Sequence, residues 1–158
     1  MKLIKNSIFL ILFSILSATA QKEKINWISF EQLDDSLTVK PKKVLISFYA
    51  DWCSYCKKMD NVAYQDPKVI STINKNYYAV KMNSETQDTI VFEGSKFFNE
   101  EVGKKRNPTH QIPLLLASRK RKPFTLPATI VLNKDFQVTK RYFYYLSPKK
   151  MLKILQKK

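Results

Sequence analysis

The sequence predicts an α/β fold, a central mixed β-sheet flanked by helices. Three observations lead to it. Val44-Leu45-Ile46-Ser47-Phe48-Tyr49 is a nearly continuous apolar, β-rich run, the signature of a strand buried on both faces. The segments around it alternate as β-α-β-α-β, which favours parallel strands joined by helices. The chain then closes as β-β-α, with Asn133-Lys134-Asp135 turning one strand back on the other. Parallel strands in one half and an antiparallel pair in the other make the sheet mixed.

Each element has a local cause. Ile25 to Ile28 reads as a short first strand. Ser29 followed by Gln32 forms a capping box that opens a helix through about Leu37, and Lys40-Pro41-Lys42-Lys43 ends it. After the central strand, Ser54 to about Ala63 reads as helix. Asp66-Pro67 restarts the chain as N-cap and first helical residue, with Val69, Ile70 and Ile73 as the apolar face. Tyr77 to Met82 is the next strand.

Residues from about 84 to 123 read as an insertion, expected to pack at one edge of the sheet. It begins with a hairpin, Thr89 to Phe92 and Ser95 to Phe98 around Glu93-Gly94, followed by a polar loop to Pro108. Thr109 is the candidate cap of a short helix from His110 to about Ser118, with Pro113 in its first turn. Ala128 to Leu132 and Phe136 to Tyr145 are the antiparallel strands. Ser147-Pro148 opens the last helix, with Met151, Leu152 and Leu155 buried.

At 158 residues the chain reads as one domain of 21–158 behind a targeting segment of 1–20. Lys2 and Lys5 precede an apolar run from Ile8 to Leu16, and Ala18-Thr19-Ala20 resembles a cleavage site. The run is well short of the ~20 residues that span a bilayer, so an export signal fits better than an uncleaved anchor. The protein is therefore expected outside the cytoplasm: periplasmic where the source has two membranes, otherwise secreted or surface-associated. Without Lys2 and Lys5, 26 of the 28 basic residues remain against 13 acidic ones. Export argues against nucleic acid as the target of this charge and leaves acidic partners, an anionic membrane surface or a merely lysine-rich exterior. Two glycines in the whole chain exclude glycine-rich phosphate loops.

The only two cysteines, Cys53 and Cys56, follow the central strand directly in Ala50-Asp51-Trp52-Cys53-Ser54-Tyr55-Cys56-Lys57. A cysteine at a helix start meets backbone N–H groups and the positive dipole end. These favour thiolate and lower a thiol pKa from ~8.5 to between ~3.5 and ~7.5. Cys53 is thus the expected exposed nucleophile, and Cys56, one turn on, the buried resolving thiol. A purely structural disulfide closing so short a loop restrains the unfolded chain little. A metal site needs further ligands, and His110 is the only histidine, so a metal would have to bridge two subunits.

The motif from Phe48 to Lys57, the stretch Leu126-Pro127-Ala128-Thr129-Ile130-Val131-Leu132 and the closing β-β-α resemble the thioredoxin superfamily. Within it the chain is similar to exported bacterial thioredoxin-like proteins whose motif runs on into Lys57-Lys58-Met59-Asp60. The resemblance covers about residues 40–83 and 124–157. It implies a thiol–disulfide oxidoreductase without cofactor, acting as a monomer on protein disulfides and kept reduced by a membrane electron donor. It also implies that Pro127 is the cis-proline facing the cysteines, that the Leu126 backbone pairs with a bound substrate strand, and that Trp52 walls the site. An ordinary strand-opening Pro127 and a core-packing Trp52 are the plainer alternatives.

Two departures bear on the chemistry. Many thioredoxins carry a buried acid six residues before the first cysteine; here that residue is Ser47, which cannot serve as a base near neutral pH, leaving water or Asp51. Ser54-Tyr55 between the cysteines lacks the histidine of strong oxidants, which leans the reading towards reductase. His110 reads as structural, and Arg119 to Lys122 as a solvated charge run. The competing reading is a thioredoxin-fold binding module whose redox activity is vestigial.

Overall fold

The computed structural model describes residues 23–156, so the expected export signal at 1–20 lies outside the described residues. The elements are β1 (Trp27–Ile28), α1 (Phe30–Val39), β2 (Lys43–Tyr49), α2 (Ser54–Asn61), a 3-10 turn (Ala63–Gln65), α3 (Pro67–Asn76), β3 (Tyr77–Asn83), β4 (Ile90–Phe92), β5 (Ser95–Phe97), α4 (Gln111–Ala117), β6 (Ala128–Leu132), β7 (Val138–Tyr142) and α5 (Pro148–Leu155). Five strands form one sheet in the order β1-β3-β2-β6-β7. β1, β3 and β2 are parallel, while β6 is antiparallel to both β2 and β7.

The local signals act as their chemistry requires. Ser29 Oγ accepts from the Gln32 N–H at 3.2 Å, and Gln32 Oε1 accepts from the Ser29 N–H at 2.9 Å. Asp66 Oδ1 accepts from the N–H groups of Lys68 and Val69, and Ser147 caps α5. Each cap satisfies helix donors that would otherwise lack partners, a contribution of about 1 kcal/mol. On α5 the third buried residue is Ile154, not Leu152, which stays half-buried against the core.

β2 sends alternate side chains to opposite faces. Leu45 joins Met59, Tyr64, Ile70, Ile73 and Met151 beneath α2, α3 and α5. Val44, Ile46 and Phe48 join Phe30, Leu33, Ile130 and Leu132 on the other face, beneath α1 and α4. Ser47 follows Leu45's parity and so points towards α2.

The segment after β3 differs from the edge packing expected of it. The β4–β5 ribbon is a separate two-stranded sheet and adds no strand to the edge of the main one. Its Phe92, with Ile112 and Ala117 of α4, is buried in the Phe48 cluster, and the Phe92 ring lies 5.7 Å from Phe30 and 4.8 Å from Phe136. The reason is topological: the chain must cross one apolar face of the sheet to pass from parallel β3 to antiparallel β6, and this segment covers that face. The N-cap of α4 is likewise His110 and not Thr109, with Nδ1 accepting from the Ile112 N–H at 3.2 Å. Pro113 sits in the first turn, where its missing N–H has no helical partner to lose. No helix among the described residues is long and apolar enough to cross a membrane.

Candidate active site

Cys53 is the N-cap of α2, delivered there by the end of β2 through a turn in which its N–H donates to the Ala50 carbonyl at 3.0 Å. Its sulfur is bonded to that of Cys56, the Cα atoms lying 5.2 Å apart, and accepts from the Cys56 N–H at 3.2 Å. The sulfur thus occupies the capping position where helix donors stabilise negative charge. Contrary to the expected exposed and buried pair, the two residues are almost equally covered, at 4 % and 5 % exposure. In this oxidised form the Cys53 sulfur lies against Cys56 and the helix end.

Trp52 and Tyr55 flank the pair at 56 % and 62 % exposure, so Trp52 is not a core residue. Its Nε1 donates to Glu85 Oε1 at 2.8 Å, which fixes the ring at the rim. Phe48 pairs with Ala128 in the sheet register, so Leu126 and Pro127 arrive at the same end of the sheet as the cysteines. The Leu126–Pro127 peptide bond is cis, Pro127 is buried and Leu126 half-buried.

Ser47 is buried at 5 % exposure. Its Oγ accepts from the Tyr64 hydroxyl at 2.9 Å, and Trp27 meets the Tyr64 ring edge-on at 5.0 Å. Burial pushes the Tyr64 pKa up to about 12, against the opposing influence of the Ser47 and Thr129 hydroxyls. Thr129 Oγ1 faces this cluster without making a full hydrogen bond. Three hydroxyls therefore stand in place of a buried acid, and none is a base at neutral pH.

A carboxylate is nonetheless close by. Asp60 lies one helical turn beyond Cys56, and its Oδ1 is 2.7 Å from Lys81 Nζ. Lys81 is the β3 register partner of Ser47 and holds its ammonium 4.8 Å from the Tyr49 ring centroid. The Tyr49 pKa is raised by burial first, then by Asp51 and Asp60. Asp51 itself is exposed on the turn. Sequence reasoning passed over Asp60 and Tyr64; the spacing of four from Cys56 was the available signal for the former.

His110 is fully buried. Its N–H donates to the Ser84 carbonyl at 2.8 Å, and the Ser84 N–H donates to the Tyr49 carbonyl at 2.7 Å, so it braces the strand end that carries the motif. Burial lowers its pKa, opposed by the Asp88 and Phe97 carbonyls, although Nε2 makes no full hydrogen bond. Arg119 leaves the solvated run expected of residues 119–122: its guanidinium stacks 3.7 Å from the Phe143 ring centroid, and Nη2 donates to the Pro123 carbonyl and Thr125 Oγ1.

Residues 31–158 match the family model described as a thioredoxin-like domain. The chain belongs to the thioredoxin-like family. Its Cys53–Cys56 disulfide is a bond that a thiolate can open by exchange. A curated relative, a thiol:disulfide interchange protein DsbD from Campylobacter jejuni, is 27 % identical over 88 residues, covering 55 % of this chain and 15 % of that protein. The thioredoxin-like chain thus spans only a small part of the length of the curated relatives it matches. The reduced C-terminal domain of DsbD from Neisseria meningitidis shares the fold, with a TM-score of 0.51 at 18 % identity, covering 80 % of this chain and 90 % of that one. A thioredoxin from Thermus thermophilus does so with a TM-score of 0.58 at 17 % identity, covering 84 % and 85 %.

Proposed function

We propose that this chain is an exported, monomeric thiol–disulfide oxidoreductase that reduces disulfides in other proteins. The observation that carries this reading is the disulfide at the start of α2, at the sheet end shared with the cis Leu126–Pro127 bond. In the reduced protein the Cys53 thiolate attacks one sulfur of a substrate disulfide, forming a mixed disulfide and releasing the first substrate thiolate. Cys56 then attacks Cys53, releasing the second. Two electrons pass to the substrate and Cys53–Cys56 is left oxidised, to be reduced again by a dithiol donor at the membrane. The Leu126 backbone holds the substrate strand, Pro127 and Trp52 bound the groove, and Asp60 takes the proton of Cys56 as it attacks, directly or through water.

Export is supported by the basic, apolar and small-residue order of residues 1–20. The match to thiol:disulfide interchange proteins supports protein thiols as partners. The lack of a histidine between the cysteines supports the reducing direction.

Equilibration with glutathione mixtures, followed by the fluorescence of Trp52 beside the pair, tests the reading. A reversible two-electron transition is expected, at a potential between those of thioredoxin and the glutaredoxins, roughly −270 to −200 mV. A disulfide that stays closed throughout this range, or that opens without supporting reduction of insulin, would refute it.

A further inference from the structure

We propose that the face beside Tyr55 is a docking surface for an acidic segment next to the substrate's disulfide. This inference rests on the oxidoreductase reading and specifies its substrate class. Five side chains form the surface. Tyr55, between the cysteines, lies 6.4 Å from the Tyr145 ring, and Lys58 holds its ammonium 5.0 Å from that same ring. Tyr144, half exposed, has Lys150 5.6 Å from its centroid.

The surface is fixed and continuous with the site. Tyr144 and Tyr145 follow Phe143, which is clamped under Arg119, and Arg119 also holds Pro123 and Thr125 on the approach to Leu126. Arg119 therefore ties the stretch that carries the tyrosines to the one that leads into Leu126. Rings with few rotatable bonds offer contact area at low entropic cost. The charge around them is one-sided. Among the described residues neither Lys58 nor Lys150 pairs with a carboxylate, and the adjacent Lys57 and Lys149 are exposed. Of the acids near the pair, Glu85 bonds Trp52 and Asp51 precedes it in the turn, while Asp60 of α2 is paired with Lys81. A substrate crossing the disulfide thus meets negative charge at one end and positive charge at the other, and is oriented with its own carboxylates towards Tyr55. A lipid surface suits this face less well, because a membrane adsorbed here would cover the sulfurs that a protein disulfide must reach.

The test uses the full chain, reduced with dithiothreitol and freed of it, and two peptides with the same disulfide, one flanked by glutamates and one by serines. The reaction is exchange of the protein dithiol for the peptide disulfide, giving the protein disulfide and the peptide dithiol. The acidic peptide should react about tenfold faster at low salt, with the preference collapsing towards unity near 0.5 M salt. The double variant Lys58→Glu, Lys150→Glu should lose or invert the ratio of the two rates, and the ratio is independent of how much protein is active. Lys150 lies in the first turn of α5, where the helix dipole disfavours cations, and Lys58 in the last turn of α2, where it favours them, so the two reversals offset and the variant should unfold close to the parent. Equal rates at low salt, or a preference that survives the double variant, would overturn the proposal. So would binding to phosphatidylglycerol vesicles that depends on Lys58 and Lys150 without any peptide preference. Failure to exchange with either peptide would instead sink the oxidoreductase reading, and this one with it.

Discussion

Replacing Ser47 by aspartate places an acid where the hydroxyl cluster now lies. The site is 5 % exposed, and taking an isolated carboxylate there from water costs several kcal/mol. Part is returned at once. The Tyr64 hydroxyl already donates to this position at 2.9 Å, and a hydrogen bond to a charged acceptor contributes about 1.5–3 kcal/mol. Lys81 is the β3 neighbour in register, but its ammonium is committed to Asp60 at 2.7 Å. A net loss of about 2 kcal/mol at pH 7 follows, or a thermal midpoint lower by roughly 6–10 °C. The sign with pH is fixed. Burial raises the folded pKa of the introduced carboxyl above its unfolded value of ~3.9, so the penalty is absent below pH ~4 and grows by ~1.4 kcal/mol per pH unit until the folded pKa is passed. Combining the change with Asp60→Asn frees Lys81 and should recover about 1 kcal/mol of the loss. In the single Ser47→Asp variant, which keeps Asp60, resolution of the mixed disulfide should quicken on the order of tenfold, because a second base now lies beneath α2. Insulin reduction and thermal unfolding at pH 4 and pH 7 measure both effects. An unchanged midpoint at pH 7 together with an unchanged rate would mean that residue 47 does not face the cysteine pair.

Two further outcomes are expected. Cys56→Ser should accumulate mixed disulfides with exported proteins, seen on non-reducing gels and dissolved by dithiothreitol, whereas Cys53→Ser should accumulate almost none; equal trapping would show the assigned roles to be wrong. His110→Asn keeps an N-cap acceptor for Ile112 while removing a titrating group whose folded pKa is depressed. The parent should therefore lose stability relative to this variant as pH falls below roughly 6.5, and parallel pH–stability curves would contradict it.

Most of the fold was legible because local chemistry and burial agreed. The caps at Ser29, Asp66 and Ser147 act where they were expected, and the nearly continuous apolar run of β2 lies at the centre of the sheet, covered on both faces. The stretch from 84 to 123 was legible as a hairpin and a short helix, but not in where it packs. Its polar loop dominates the composition, while the few residues that anchor it, Phe92, Ile112 and Ala117, are spread over 26 positions and share no single period. Their common destination is a face of the sheet, which is a property of the crossover and not of any window of sequence.

The site divides along the same line. Trp52, Cys53 and Cys56 share one turn, so the motif alone places them. Pro127 was reached only through the resemblance, because an X–Pro bond carries no local mark of its isomer. Asp60, Tyr64 and Lys81 were not reached at all, although they surround Ser47 on three different elements. Each looks ordinary alone: an acid on a helix, a tyrosine after it, a lysine on a strand. What joins them is the sheet register that sets Lys81 beside Ser47 and the helix period that sets Asp60 one turn beyond Cys56. Position 47 is also where the resemblance was weakest. With a serine there, β2 places no carboxylate beside Lys81, and the Lys81 ammonium pairs with Asp60 of α2. The negative charge of this site therefore sits on the half-buried helix surface, where keeping it ionised costs less than at the buried position of Ser47.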